Sequence, residues 1–391
     1  MTLDWQRIRQ ETPGCENVVH FNNAGAALMP QLVLEAMVGH LQLEAQIGGY
    51  EAAAVQAQAV ERVYDAAAAL LGCQRGEVAI IENATRAWDM AFYAIPLEEG
   101  DRILTAASEY ASNYIALLQV ARKTGVTIEV IPNDEFGQIS IEALRQAIDE
   151  RVKLIAITHV PTNGGLVNPA AEVGKVAKEA GILYLLDACQ SVGQMPIDVN
   201  EIGCDMLSAT GRKYLRGPRG TGLLYVRQSI LEQLEPPLLD MHAAEWVSKD
   251  EYKIRPDARR FENWETNYAG KIGLGVAIDY ARQWGLEAIE KRICKLAESL
   301  RRKLNSLDRV IVRDLGVQKC GIVSFTVDGK EPMEIKQLLA QQKINVSASS
   351  QQGTRIDMEA RGFTSLVRAS VHYYNSEEEV EQFCNTLASL F

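Results

Sequence analysis

The sequence predicts an α/β protein: a mostly parallel, seven-stranded sheet covered by helices on both faces, followed by a smaller α+β C-terminal unit. Three observations predict it. Seven short apolar runs recur between residues 77 and 226. Stretches of helical periodicity separate several of them, each long enough for the crossover that parallel strands require. After about residue 228 the alternation stops and a different texture begins.

In chain order, amphipathic segments begin near residue 31, and an alanine-rich stretch at 66–69 fits a well-packed helix. The apolar runs lie at 77–82, 102–105, 127–132, 154–157, 182–186, 206–209 and 222–226. Helical patterns at 111–123, 141–148 and 170–180 fall between them, which means a sheet with helices on both faces. Beyond 228 come a proline-containing, charged stretch to 260 and one helical pattern from 271 to 304. Strand-like 310–312 and 322–327, a helical segment near 334–341, and strand-like 344–347 and 366–373 make up the smaller unit. Its last helix is announced by Ser376, a capping residue, with Glu377, Glu378 and Glu379 where the helix dipole favours negative charge.

Composition narrows the function classes. The 391 residues carry 40 basic and 51 acidic side chains, a net charge of −11, with 47% hydrophobic and 23% charged residues. That is a globular composition, and its acidic balance argues against nonspecific nucleic-acid binding, which rests on neutralising phosphates. The first eleven residues are charged where a signal peptide would be apolar, and no apolar stretch is long enough for a membrane span. A soluble, cytoplasmic protein is expected. Seven scattered cysteines with no Cys-x-x-Cys pair read as reduced thiols, and no metal site is expected. The Walker phosphate loop, the His-Glu-x-x-His helix and the Gly-x-Ser-x-Gly nucleophile elbow are all missing from the sequence.

In open parallel sheets ligands gather at the carboxyl ends of strands, so polar residues just after apolar runs are the candidates. Four places qualify. Asp187 follows the run 182–186 and precedes Ala188, Cys189 and Gln190. A carboxylate there must meet a cation or donors, or else it caps a helix. The segment 210–222 sets Arg212, Lys213, Arg216 and Arg219 among glycines. It is either a solvated basic face or a constrained turn that brings cations to a ligand. Asn83, Ala84, Thr85 and Arg86 open a helical pattern after the first run, where free backbone N–H groups make a generic anion site. Glu109 and Tyr110 follow the second run, and the Tyr110 ring either stacks on a planar ligand or sits half-buried. An amine able to form an imine, and a carboxylate able to pair with a protonated ring nitrogen, are what pyridoxal phosphate (PLP) asks of its protein.

The order of these motifs becomes specific in two strings, Leu186-Asp187-Ala188-Cys189-Gln190-Ser191 and Gly211-Arg212-Lys213-Tyr214-Leu215-Arg216-Gly217. They resemble the class V aminotransferase and cysteine desulfurase family of fold-type I PLP-dependent enzymes, from about His20 to the C-terminus. The resemblance implies PLP as cofactor, with Lys213 bound to it and moving protons, and Asp187 keeping its ring nitrogen protonated. It places Tyr110 on the ring, Gln190 at the phenolic oxygen, and Thr162 and Asn163 on a loop beside the ring. Ala84, Thr85, Arg86, Thr210 and Arg212 would hold the phosphate, although the family commonly has histidine at position 212. Thr266, in the string 259–267, would reach a neighbouring subunit's phosphate site, which implies a homodimer with shared active sites. Arg368 matches the arginine that grips a substrate α-carboxylate, a task suited to its forked donors, and Asn23, Ala24 and Gly25 resemble the loop closing over it. The implied organisation is an N-terminal arm at 1–16 associated with the small domain, a large PLP-binding domain at 17–265 and a small domain at 266–391.

Desulfurases of this family carry a sulfur-accepting cysteine on a loop before the strand of that arginine. Residues 347–362 hold no cysteine, and neither Cys320 nor Cys384 fits the position. β-Elimination needs no such acceptor, so the expected activity is C–S lysis of an S-substituted cysteine or its sulfoxide, releasing pyruvate and ammonia. The strings 20–25 and 43–51, with Arg212-Lys213 in place of His-Lys, resemble the subgroup that includes the sulfoxide lyases of ergothioneine biosynthesis. Transamination, racemisation or epimerisation, and desulfuration with an atypical acceptor are alternatives on the same scaffold. A noncatalytic PLP-binding protein is the alternative of another class. The expected partners are an amino-acid substrate and a second copy of the chain, with no nucleic acid and no membrane.

Overall fold

The computed structural model describes residues 3–390, so residues 1 and 2 of the expected arm and the last residue of the expected small domain lie outside the described residues. Helices α1 (Gln31–Ile47) and α2 (Ala57–Leu71) lead to strand β1 (Val78–Ile81) and helix α3 (Ala84–Phe92). Strand β2 (Arg102–Ala106), helix α4 (Ala111–Thr124) and strands β3 (Thr127–Ile131) and β4 (Val152–Thr158) follow. Helix α5 (Ala170–Ala180) precedes strands β5 (Leu183–Asp187), β6 (Met206–Thr210) and β7 (Gly222–Val226). These seven strands form one sheet in the order β3-β2-β4-β5-β6-β7-β1.

Strands β3, β2, β4, β5 and β6 pair in parallel, as expected. The exception is β7, antiparallel to both β6 and β1. The connection between β6 and β7 contains no helix, so the chain turns straight back rather than crossing over. Burial on both faces explains why the strands read as continuous apolar runs. On β5, Tyr184 and Leu186 enter the core beneath α2 and α5, while Leu185 enters the opposite core with Trp88 and Phe92 of α3 and Leu117 of α4.

The helical pattern expected over 271–304 is two helices, α6 (Tyr268–Trp284) and α7 (Leu286–Asn305). Gly285, at φ 80°, ends the first in a conformation that other residues adopt at a cost. Helix α6 packs along α1 and α2. Strands β8 (Val310–Val312), β9 (Ile322–Val327), β10 (Ser347–Ser350) and β11 (Ser365–Ser370) form an antiparallel sheet ordered β8-β9-β11-β10. Helix α8 (Glu377–Ala388) has the expected Ser376 cap, reciprocated by Glu379.

Some local expectations change. The strand expected at 344–347 divides, because Ile344–Asn345 pairs with Val19–His20 whereas Ser347–Ser350 pairs with β11. The charged stretch before residue 260 contains a hairpin, Ala244–Ser248 with Glu251–Ile254, that its charges concealed. The short helix Trp5–Gln10 is tied to the C-terminal residues through Arg9, which donates to the Tyr374 carbonyl at 3.0 Å and pairs with Glu379 at 2.9 Å. Among the described residues no helix is long and apolar enough to cross a membrane, and no cluster of three or more His, Cys, Asp or Glu is placed to hold a metal.

Candidate active site

Because β1, β2, β4, β5 and β6 point the same way, their carboxyl ends open on one cleft. Asp187, the last residue of β5, is buried there. Its Oδ1 accepts from the Cys189 N–H at 2.9 Å and its Oδ2 from Asn113 Nδ2 at 2.9 Å. Neutral donors therefore keep it in place and leave its charge available to a ligand. Lys213, just beyond β6, lines the same cleft, and burial holds its amine below the usual lysine range against the opposing pull of Cys189 and Asp187.

The start of α3 forms another wall. Asn83 caps it by accepting from the Arg86 N–H at 2.9 Å, and Ala84 and Thr85 line the cleft. Gly222 makes this arrangement possible, since a Cβ there would lie 2.7 Å from the Asn83 carbonyl carbon. Thr210 and Arg212 line the cleft nearby, and Arg212 donates to the Gly25 carbonyl. The start of a helix beside a cationic side chain is a built anion site. Tyr110 reaches the cleft from the first residue before α4, with its N–H on Glu109 Oε1 at 2.9 Å and on Thr158 Oγ1 at 3.3 Å.

The smaller sheet supplies Arg368 from β11. Its guanidinium donates to Thr162 O and Oγ1, both at 2.9 Å, and to Asn22 Oδ1 at 3.3 Å, while Nε has no partner. Burial lowers Arg368 to about 10. Residues 21–24 are stitched to β11, with the Ser370 N–H on the Phe21 carbonyl at 2.7 Å and the Ala24 N–H on Ser370 Oγ at 2.9 Å. That stitching sets Asn22 against Arg368, Ala24 against Gln190 and Gly25 against Arg212, behind the cleft wall rather than in it. Gln190 Nε2 donates to the Ala24 carbonyl at 3.1 Å and to Thr162 Oγ1 at 3.4 Å, and its buried Oε1 has no partner.

Lys213, Asp187, Tyr110, Ala84, Thr85, Thr162, Gln190, Thr210 and Arg212 thus line one cleft, and Arg368 reaches it through Thr162. Four expected residues point elsewhere. Arg86 gives its backbone N–H to the Asn83 cap, and its side chain is not part of the cleft wall. Asn163 donates to Ser350 O at 3.1 Å and Thr354 Oγ1 at 3.0 Å, so it braces the segment after β10. Asn23 donates to His20 O at 3.0 Å and Ser370 O at 2.7 Å. Thr266 lines a separate hollow with Tyr50 and Glu51. Of the other basic residues in 210–222, Arg219 is exposed, while Arg216, at φ 60°, is buried against the Tyr374 ring at 4.7 Å and donates to Tyr373 OH at 3.1 Å. Sequence reasoning missed Asn113, Thr158 and Cys189 as parts of the site. Each lies within or beside a string that pointed to the cleft, but polar residues at strand ends show their direction only once folded.

A family model described as Aminotransferase class-V matches residues 19–383. The chain belongs to the class V aminotransferase family. It is 31% identical to a probable cysteine desulfurase of Pyrococcus abyssi over 389 residues, covering 98% of this chain and 96% of the relative. A cysteine desulfurase from Thermococcus onnurineus NA1, in its apo structure, superposes with a TM-score of 0.92 at 29% identity, covering 100% of this chain and 98% of that one. The cystine C–S lyase C-DES, in complex with its reaction product cysteine persulfide, superposes with a TM-score of 0.85 at 25% identity, covering 96% of this chain and 99% of that one. A lysine-to-alanine mutant of C-DES carries glycine covalently linked to its PLP cofactor. Within the class V aminotransferase family, this chain is therefore similar both to proteins named as desulfurases and to one named as a C–S lyase.

Proposed function

We propose that the chain is a PLP-dependent C–S lyase that cleaves an S-substituted cysteine or its sulfoxide by β-elimination. The observation that carries this reading is a cleft presenting Lys213, Asp187 and, through Thr162, Arg368, beside a 347–362 segment without a thiol. The residues fit PLP. The start of α3 with Thr210 and Arg212 suits a phosphate, Asp187 is an anion free to meet a ring N–H, and the unpartnered Gln190 Oε1 leaves hydrogen-bonding capacity toward the cleft.

Bound PLP supplies an electron sink that lets the substrate's α-proton leave and its β-substituent depart. The chain's own groups do the rest. Arg368 takes the α-carboxylate with two forked donors, which fixes the amino acid's orientation. The Lys213 amine, its proton affinity lowered by burial, takes the α-proton and returns one to the departing sulfur. Tyr110 would offer an aromatic face to the cofactor, and the Asp187 carboxylate would accept a hydrogen bond from the ring N–H and so keep that nitrogen protonated. The C–S bond breaks, sulfur leaves with the bonding pair and a proton, and the released three-carbon enamine takes up water to give pyruvate and ammonia.

Desulfuration through Cys189 is the second reading, because this thiol lines the cleft. Burial, with Asp187 adding to it, pushes that thiol well above its usual range, which makes it a poor nucleophile. The resemblance of the N-terminal strings favours a sulfoxide among lyase substrates. A homodimer with Thr266 near the partner's phosphate site is supported by an apolar stripe on α1, where Leu41 is 52% exposed, and by Trp246 of the hairpin, 79% exposed. The deciding experiment incubates PLP-loaded protein with cysteine, cystine and S-substituted cysteine sulfoxides and quantifies pyruvate and alanine. Catalytic pyruvate supports the lyase. Alanine without pyruvate moves the assignment to desulfuration, and a pyridoxamine spectrum moves it to transamination.

A further inference from the structure

Glu109 is buried behind the cleft in a position that the proposed mechanism does not use. Its Oε1 accepts from Thr158 Oγ1 at 2.5 Å, from Asn113 Nδ2 at 2.8 Å and from the Tyr110 N–H at 2.9 Å. Thr105 Oγ1 donates to its Oε2 at 3.3 Å. The Asn113 amide has two hydrogens, and its second acceptor is Asp187 Oδ2 at 2.9 Å. One side-chain amide therefore bridges two buried carboxyl groups.

We propose that Glu109 is a positioning residue for the cofactor site: it orients Asp187 through Asn113, orients Tyr110 through its backbone, and adds a titrating charge beside Asp187. This rests on the PLP reading above. The groups around Glu109 come from every packed element: Thr105 on β2, Asn113 on α4, Thr158 on β4, and Asp187 with Tyr184 on β5. None of the groups acting most strongly on it is a cation. Two ionised carboxylates so placed repel each other in a desolvated site, so Glu109 keeps its proton over part of the pH range. Burial pushes Glu109 up to about 7, the proximity of Asp187 adds to the rise, and the donated hydrogen bonds oppose it. Below that pH Asp187 faces its ligand alone. Above it a second negative charge stands behind Asp187 and raises the proton affinity of whatever cation Asp187 holds.

The test is the visible absorbance of PLP-loaded protein titrated with acid and base, for wild type and Glu109→Gln. Glutamine keeps the size and much of the hydrogen bonding but cannot ionise. The expected result is that the variant binds PLP and its absorbance transition moves to lower pH by about one unit. A transition superimposable on wild type, in a variant that binds PLP normally, overturns the proposal and leaves Glu109 as a structural brace. If Glu109→Gln does not fold, Glu109→Ala removes the same charge in a smaller side chain, and the same two outcomes decide. A wild-type protein that takes up no PLP defeats both this inference and the proposed function, whereas normal uptake with an unmoved transition defeats the inference alone.

Discussion

Lys213 and Arg368 are basic groups held in a desolvated cleft, and each makes a prediction of its own. Replacing Lys213 with alanine removes the group proposed to transfer the α-proton, so pyruvate formation should fall by at least ~10³-fold, within the scale of general acid–base catalysis. A coupled assay for pyruvate reads this directly, and cleavage at the wild-type rate would falsify the role. Arg368→Lys keeps a charge but loses the fork. Weakening a charge-assisted contact by ~1.5–3 kcal/mol should lower kcat/KM by roughly 10- to 100-fold. Asp187 was legible because it ends an apolar strand, whereas Lys213 and Arg368 were marked by the resemblance of their strings to the family. Asn23 and Asn163 were not. Their amides are claimed by Ser370 and by Ser350 and Thr354, partners far along the chain that no local pattern reveals.

The elements position the site by close approach. Gly222 begins β7 directly against the start of α3, with the Asn83 carbonyl carbon 2.7 Å from any added Cβ. Gly222→Ala should push the helix start away, destabilise the protein by ~1–3 kcal/mol and weaken PLP binding. Urea unfolding and a PLP titration measure the two effects, and an unchanged affinity would show that the start of α3 carries no phosphate. At the edge of the sheet, β1 pairs on one side with β7, and on the other its Ile80 N–H is taken by Glu262 Oε1 at 2.8 Å. The carboxylate thus occupies a donor that would otherwise be exposed at a strand edge. The sequence marked 259–267 for a resemblance to a subunit-reaching segment. Folding shows that its first half is anchored within the chain, by Arg259 on Glu61 at 3.2 Å and Arg260 on the Leu231 carbonyl at 2.7 Å.

Across the whole molecule, Glu262 joins α2, α6 and β1: it accepts from Tyr64 OH at 2.8 Å and from Lys271 Nζ at 3.1 Å as well as from Ile80. Burial alone would raise this carboxyl, but His242, Lys271, the Ile80 N–H and Arg259 together lower it from the usual 4.5 to about 2. A depressed carboxylate stabilises the fold above its unfolded pKa, and that contribution disappears as pH falls through its folded pKa. Stability on the order of 3 kcal/mol should therefore be lost between pH 4.5 and about 2, and Glu262→Gln should lack that loss. Urea midpoints of both proteins across that window test it; parallel slopes would sink the idea. Leu41→Asp should turn the proposed homodimer into a monomer with weaker PLP binding, measured by light scattering and absorbance, because it places a charge in the apolar stripe of α1. By itself the sequence determined the sheet, its helical cover and the main cleft residues. Burial on both faces writes strands as apolar runs, and a parallel sheet brings their ends to one rim. The tertiary structure alone decided the reversed β7, the bridge from Glu109 to Asp187 and the attachment of residues 21–24 to β11. These depend on which distant backbone groups and side chains share a hydrogen bond, and that is settled only when the chain has packed.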